Sequence, residues 1–237
     1  MKKKIELSPN YSSKNRGYSD IKFVIFHYTG MQSEIASIKR LIKKNSKVSC
    51  HYLINRKGII KKLVKVKNIA WHAGKSKWKN FVNLNKNSIG IELVNKGHEF
   101  GYQNFTNLQI KSLIKLCQEL KKKYKIKNSN FLGHSDIAPY RKIDPGEKFP
   151  WSKLSRFKIG KWYKKVKDKK FSRNLSINRQ RFFKNIYKIG YRYFSLKKKS
   201  KKDELVIMAF QRKYLPHQIS GKIDKKTLKI SYFLANS

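Results

Sequence analysis

The tightest constraint on this chain is a short, largely apolar run, Ile21 to Phe26, that stops at His27-Tyr28-Thr29-Gly30. So short a run bounded by turn residues reads as a buried strand, one that delivers a histidine to its C-terminal edge. Ile89 to Val94 reads as a second central strand. Between them, Ile35, Ile38, Leu41 and Ile42 recur at helical spacing, and Val48 to Ile54 and Ile59 to Val64 flank a turn at Arg56-Lys57-Gly58, the pattern of a hairpin. Thr106-x-x-Gln109 has the form of a capping box opening a helix through Ile110, Leu113, Ile114, Cys117 and Leu120. Phe131-Leu132-Gly133-His134 reads as one more short strand, and a loop rich in turn residues follows it, with Pro139, Asp144-Pro145-Gly146 and Pro150. This order predicts an α/β fold, a mixed central sheet flanked by helices. Three further helical pieces, Asn178 to Ile189, Asp203 to Tyr214 and Lys225 to Leu234, predict a small C-terminal three-helix domain. The expected division is a first domain over 1–155, a linker or bridging segment over 156–175 and a helical domain over 176–237.

Composition bounds the partner only loosely. With 58 Lys plus Arg against 13 Asp plus Glu, the net charge is +45, a field that attracts nucleic acid, anionic membranes or acidic polymers alike. Lys, Asn and Ile are enriched together, as an A+T-rich genome produces, so the charge by itself selects no function. No nucleic-acid-binding motif accompanies it, and no nucleic acid is expected as partner. Cys50 and Cys117 are too few for a disulfide framework and read as reduced, structural residues. The start, Met1-Lys2-Lys3-Lys4, turns polar at Ser8-Pro9-Asn10 without the apolar core of a signal peptide, and no segment has the roughly 18 apolar residues of a membrane span. The cytoplasm is therefore the default expectation, with the cell envelope as the alternative and a monomer as the default state.

The chemistry lies at the strand ends. His27 follows one strand, His134 ends another, and Asp144 comes ten positions later in a loop able to fold back. Two imidazoles and one carboxylate from separate elements make a three-ligand set that leaves the fourth tetrahedral position of a zinc ion open to water, as in catalytic sites. Glu92 is a carboxylate inside an apolar strand, costly unless it is paired or functional; the competing reading is an outward-facing position on a half-buried strand. Lys142, two residues before Asp144, is a candidate to stabilise a developing oxyanion, or else one more surface lysine.

The segments Phe26-His27-Tyr28-Thr29, Ser49-Cys50-His51-Tyr52-Leu53-Ile54, Ala70-Trp71-His72-Ala73-Gly74, Ser88-Ile89-Gly90-Ile91-Glu92-Leu93, Gly133-His134-Ser135-Asp136-Ile137-Ala138-Pro139 and Arg141-Lys142-Ile143-Asp144-Pro145-Gly146 resemble, in order, those of the type 2 N-acetylmuramoyl-L-alanine amidases. The resemblance is strongest to the subgroup holding the cytosolic anhydromuramyl-peptide amidase and the outer-membrane lipoprotein amidase. It implies Zn2+ on His27, His134 and Asp144, Glu92 as the acid/base residue, and Lys142 as the group polarising the scissile carbonyl. The reaction implied is hydrolysis of the amide joining N-acetylmuramic (or anhydromuramic) acid to the L-alanine of the stem peptide. Trp71 and His72 then become candidate substrate-groove residues, whereas His51 reads as a packing residue or one that supports a ligand from behind. Val206 to Tyr214 and Gly221 to Leu228 resemble the three-helix peptidoglycan-binding domain attached to such amidases, so peptidoglycan or muropeptides are the expected partner. A recognition module that keeps the fold without cutting is the main rival. Loss of a zinc ligand would mark it, and all three ligand positions are filled here.

Overall fold

The structure is a computed structural model describing residues 7–13, 16–163 and 174–237. The strands are β1 (Tyr11–Ser12), β2 (Phe23–Tyr28), β3 (Tyr52–Ile54), β4 (Ile60–Lys62), β5 (Ile69–Ala70), β6 (Lys77–Trp78), β7 (Phe81–Val82), β8 (Ser88–Leu93) and β9 (Phe131–Gly133). The helices are α1 (Glu34–Ile42), α2 (Asn107–Tyr124), α3 (His134–Ile137), α4 (Trp151–Arg156), α5 (Leu175–Ile189), α6 (Asp203–Tyr214) and α7 (Lys225–Ala235). The main sheet has the order β4-β3-β8-β2-β9, with β4 antiparallel to β3 and the remaining neighbours parallel. This is the mixed sheet flanked by helices that the hydrophobic pattern predicts.

The apolar content of β2 and β8 explains their central place, because a parallel strand is covered on both faces. Side chains alternate across the sheet. Val24, Phe26, Ile89 and Ile91 turn to one face and pack with Ile110, Leu113 and Cys117 of α2. Phe23 and Ile25 turn to the other and, with Leu132, share a cluster with Phe182, Phe183, Phe210 and Leu228 of α5, α6 and α7. Each such buried aromatic contributes on the order of 1.5–3 kcal/mol, so the C-terminal helices stabilise the sheet by covering its second face.

Local signals fix the ends of several elements. Thr106 Oγ1 accepts from Gln109 N and Gln109 Oε1 from Thr106 N, both at 3.1 Å, closing the expected capping box. Asp224 accepts from Thr227 N at 2.6 Å and starts α7. Helix α5 begins at Leu175, three residues before the expected Asn178, because Asn174 Oδ1 accepts from the backbone of Ser176 and Ile177. His134 opens α3 rather than ending a strand, since the Asp136 carboxylate accepts from Gly133 N at 2.8 Å and turns the chain there. Of the expected bridging segment, 164–173 lies outside the described residues, as do the N-terminal lysines. Among the described residues no helix is long and apolar enough to cross a membrane.

One buried polar cluster ties the C-terminal helices to α3. Asp136 Oδ2 accepts from Lys213 Nζ at 2.7 Å and its Oδ1 from Tyr191 Oη at 2.6 Å, all three residues being buried. The Lys213 ammonium also stands 3.9 Å from the ring centre of Trp151. Lys213→Met strands a buried carboxylate and is expected to cost about 3–5 kcal/mol, whereas Tyr191→Phe, which removes one hydrogen bond, costs about 1–3 kcal/mol. Urea unfolding of the full chain checks both, and a Lys213→Met loss no larger than that of Tyr191→Phe would contradict this assignment.

Candidate active site

The site is built where parallel strands end. The β2–β8 register sets His27 directly opposite Glu92, and β9, on the other side of β2, stops one residue short of His134. The loop after α3 folds back because Ser135 N donates to the Asp144 carbonyl at 2.9 Å and Pro145 lies on Gly133. A Cβ at residue 133 would stand 2.8 Å from Pro145 Cδ, so only glycine admits the loop that carries Asp144.

Three donor atoms converge as a result. His27 Nδ1 is 3.0 Å from His134 Nδ1 and 2.9 Å from Asp144 Oδ2, and His134 Nδ1 is 3.1 Å from the same oxygen. All three residues are buried. The outer nitrogens show which tautomers are present. His134 Nε2 lies 3.1 Å from an acceptor, the Ala73 carbonyl, and 3.3 Å from Arg141 Nη2, which already donates to the Ala73 and Lys75 carbonyls; the nearer carbonyl assigns the proton to Nε2. His27 Nε2 lies 3.1 Å from His72 Nδ1. Ser88 donates its hydroxyl proton to the Leu84 carbonyl at 2.6 Å, which leaves Ser88 Oγ to accept from His72 Nε2 at 3.3 Å and makes His72 Nδ1 an acceptor for His27 Nε2–H. Both inner Nδ1 atoms therefore present lone pairs to each other and to a carboxylate. Three lone pairs at such distances repel unless a cation lies among them, and two imidazoles with one carboxylate are a fitting set for a metal such as zinc. Burial, and then the neighbouring His134, push the His27 imidazole down to about 4, which keeps it in the neutral form a metal ligand needs.

The cluster opens on a cleft of about 600 Å³ lined by Glu92, Lys142, Trp71, His72, Tyr28, Thr29 and Arg141, among others. Glu92 Oε2 is buried without a hydrogen-bond partner, and burial, reinforced by the charge of Asp144, raises its carboxyl to about 8. Lys142 is half-buried on the same wall, and its charge partly offsets that rise. Trp71 is half-buried too, with Nε1 donating to Ser12 Oγ at 3.0 Å. His51 lies away from the three donors: its Nδ1 accepts from Gly90 N at 3.0 Å and its ring packs edge-on against His72, with centroids 5.7 Å apart.

A family model described as N-acetylmuramoyl-L-alanine amidase matches residues 17–147, the stretch containing the three donors, Glu92, Lys142, Trp71 and His72. The chain belongs to the N-acetylmuramoyl-L-alanine amidase family. It is 34% identical to the N-acetylmuramoyl-L-alanine amidase AmiD of Escherichia coli over 90% of this chain and 82% of that protein. The solved complex of that E. coli amidase with the substrate anhydro-N-acetylmuramic acid-L-Ala-D-γ-Glu-L-Lys aligns at a TM-score of 0.80 and 30% identity, covering 96% of this chain and 97% of that one. AmpDh3 of Pseudomonas aeruginosa aligns at 0.79 and 29% identity over 94% and 93%. The 1,6-anhydro-N-acetylmuramyl-L-alanine amidase AmpD of Haemophilus influenzae is 42% identical over 45% of this chain and 56% of its own length.

Two features of this amidase-family site were not singled out by sequence reasoning. Arg141 donates to the Lys75 carbonyl at 3.1 Å through Nε and also to the Ala73 carbonyl, pinning the 73–75 turn against His134; its only sequence signal was its place in the Arg141-Lys142-Ile143-Asp144 motif. Gly90 is the floor on which the His72 ring lies, since a Cβ there would stand 2.4 Å from His72 Cγ. Gly90→Ala should therefore displace that ring and cost about 1–3 kcal/mol by overpacking, read as a lowered unfolding midpoint. An unchanged midpoint would show that the ring has room the structure denies it.

Proposed function

We propose that this chain is a zinc-dependent amidase that hydrolyses the bond between the lactyl carbonyl of N-acetylmuramic or anhydromuramic acid and the L-alanine of the stem peptide. The observation that carries the proposal is the trio of inward lone pairs on His27, His134 and Asp144 lining an open cleft, with Glu92, one of whose carboxylate oxygens is buried without a partner, on the neighbouring strand. His27, His134 and Asp144 hold the metal. Bound there, zinc supplies a Lewis acid that makes water acidic near neutral pH and polarises a carbonyl. Glu92 takes the proton from the attacking water and returns it to the leaving α-amine of L-alanine, the first step needing its ionised form, which the Lys142 charge favours against burial. Lys142 places an ammonium on the cleft wall where negative charge grows on the scissile oxygen. Trp71 and His72 line the groove that receives the muropeptide.

Residues 1–155 form the catalytic domain in this reading, 156–175 bridge, and 176–237 form a helical domain that engages glycan. Because α5 to α7 share a cluster with the sheet, that role is tested in the full chain. The Glu92→Gln protein, which binds without cutting, should co-sediment with purified sacculi, and substitutions confined to exposed positions of α5–α7 should reduce the bound fraction. Sedimentation that such changes leave untouched would remove the glycan role.

Activity is tested by release of L-alanyl peptides from purified anhydromuropeptides and from sacculi. Release should stop on chelation and return with zinc. Glu92→Gln should lower kcat by about 10²–10⁴-fold with zinc still bound, and Lys142→Ala by about 10²–10³-fold. No release from either substrate by zinc-loaded protein would contradict the proposal. The ratio of the two rates assigns the chain to recycling or to wall remodelling.

A further inference from the structure

Beneath the groove, His72 has both ring nitrogens committed, and neither to a surface group. Nδ1 faces His27 Nε2 at 3.1 Å and Nε2 faces Ser88 Oγ at 3.3 Å. The ring is fixed from the other sides as well. Asn85 Oδ1 accepts from the backbone N–H of both His72 and Ala73, at 3.1 and 2.7 Å, and the Gly90 backbone leaves no space for the ring to drop. With Ser88 spending its own proton on the Leu84 carbonyl at 2.6 Å, the polarity of the chain is set: Ser88 accepts from His72, and His72 accepts from His27.

We propose that His72 is a positioning residue that acts through His27: by accepting the Nε2–H of His27 it fixes the tautomer and ring plane in which His27 Nδ1 offers its lone pair to the metal. This rests on the metal reading of the trio. The direction of the hydrogen bonds has a further consequence, because His72 presents only ring carbon to the groove and its contact with substrate is apolar. A ligating imidazole whose outer N–H is unpaired can turn or change tautomer, and outer partners of this kind are worth about 10–100-fold in metal affinity.

The test is the zinc affinity of the full chain, read by competition with a chromophoric chelator, for the wild type, His72→Leu and His72→Asn. Leucine removes the acceptor and should weaken binding by about 10–100-fold. Asparagine keeps an acceptor, its Oδ1 standing near the place of Nδ1, and should restore affinity to within a few-fold of wild type. Unchanged affinity in His72→Leu, or equal weakening in both variants, overturns the proposal. Where His72→Leu fails to fold, Ser88→Ala serves instead: loss of the group that orients His72 should weaken zinc several-fold, and no change overturns the proposal. Long-range proton–nitrogen NMR of the zinc-loaded wild type supplies a signature that a merely structural ring would not require, with His72 protonated at Nε2 and His27 bonded to metal at Nδ1; the opposite His72 tautomer overturns the proposal. A wild type that binds no zinc removes the metal reading itself, whereas zinc binding that is indifferent to residue 72 removes only this inference.

Discussion

The parallel register of β2 on β8, which places Val24 against Ile89 and, three residues on, His27 against Glu92, is the constraint from which the rest of the site follows. A slip of one residue would turn every side chain of β2 to the opposite face, burying His27 under α2 and sending Phe26 into the cleft. The register is held by apolar packing on both faces: Val24 and Phe26 meet α2, while Phe23 and Ile25 meet the C-terminal helices. The position of His27 is thus stabilised by residues that never approach the cleft. Glu92 is carried by the same pairing, a polar group kept half-buried beside His27 because the surrounding apolar strand leaves it nowhere else to go.

The second support comes from the far end of the chain. Asp136 lies two residues beyond His134 on α3, and both its oxygens are held by residues of the C-terminal part, Tyr191 and Lys213. The same carboxylate caps Gly133, the residue on which Pro145 rests. One buried carboxylate therefore links the C-terminal helices, the end of β9, the start of α3 and the loop that carries Asp144. Breaking it leaves a charge unpaired in a dry interior, which is why its cost exceeds that of an ordinary hydrogen bond.

Much of this was legible in the sequence, and the reasons differ by feature. The central strands and α2 declare themselves through apolar period and a capping box, both local signals that tertiary contacts reinforce. His27, Glu92 and His134 were legible as candidates because ionisable groups at the ends or in the middle of apolar strands are costly without a purpose, Asp144 and Lys142 because they sit in the turn-rich loop that follows His134, and the structure brings all five to one cleft. The partners that Ser88 and Asn85 offer the His72 nitrogens were not legible, since they meet it only through the turn after Ala70. Nor does any local pattern announce that Phe182 and Phe210 will cover Phe23 and Ile25; helical periodicity reports an apolar face without naming what lies against it. The early start of α5 was hidden for a simpler reason, an asparagine cap at Asn174 ahead of the first periodic residue.

Whether the inward lone pairs of His27, His134 and Asp144 are arranged for a metal ion is read from anomalous diffraction at the zinc edge, with crystals of the zinc-loaded protein. One strong anomalous peak is expected within bonding distance of His27 Nδ1, His134 Nδ1 and Asp144 Oδ2, with Glu92 outside the ligand set. Zinc-loaded crystals with no peak among those three atoms, or with the ion held elsewhere, would contradict it.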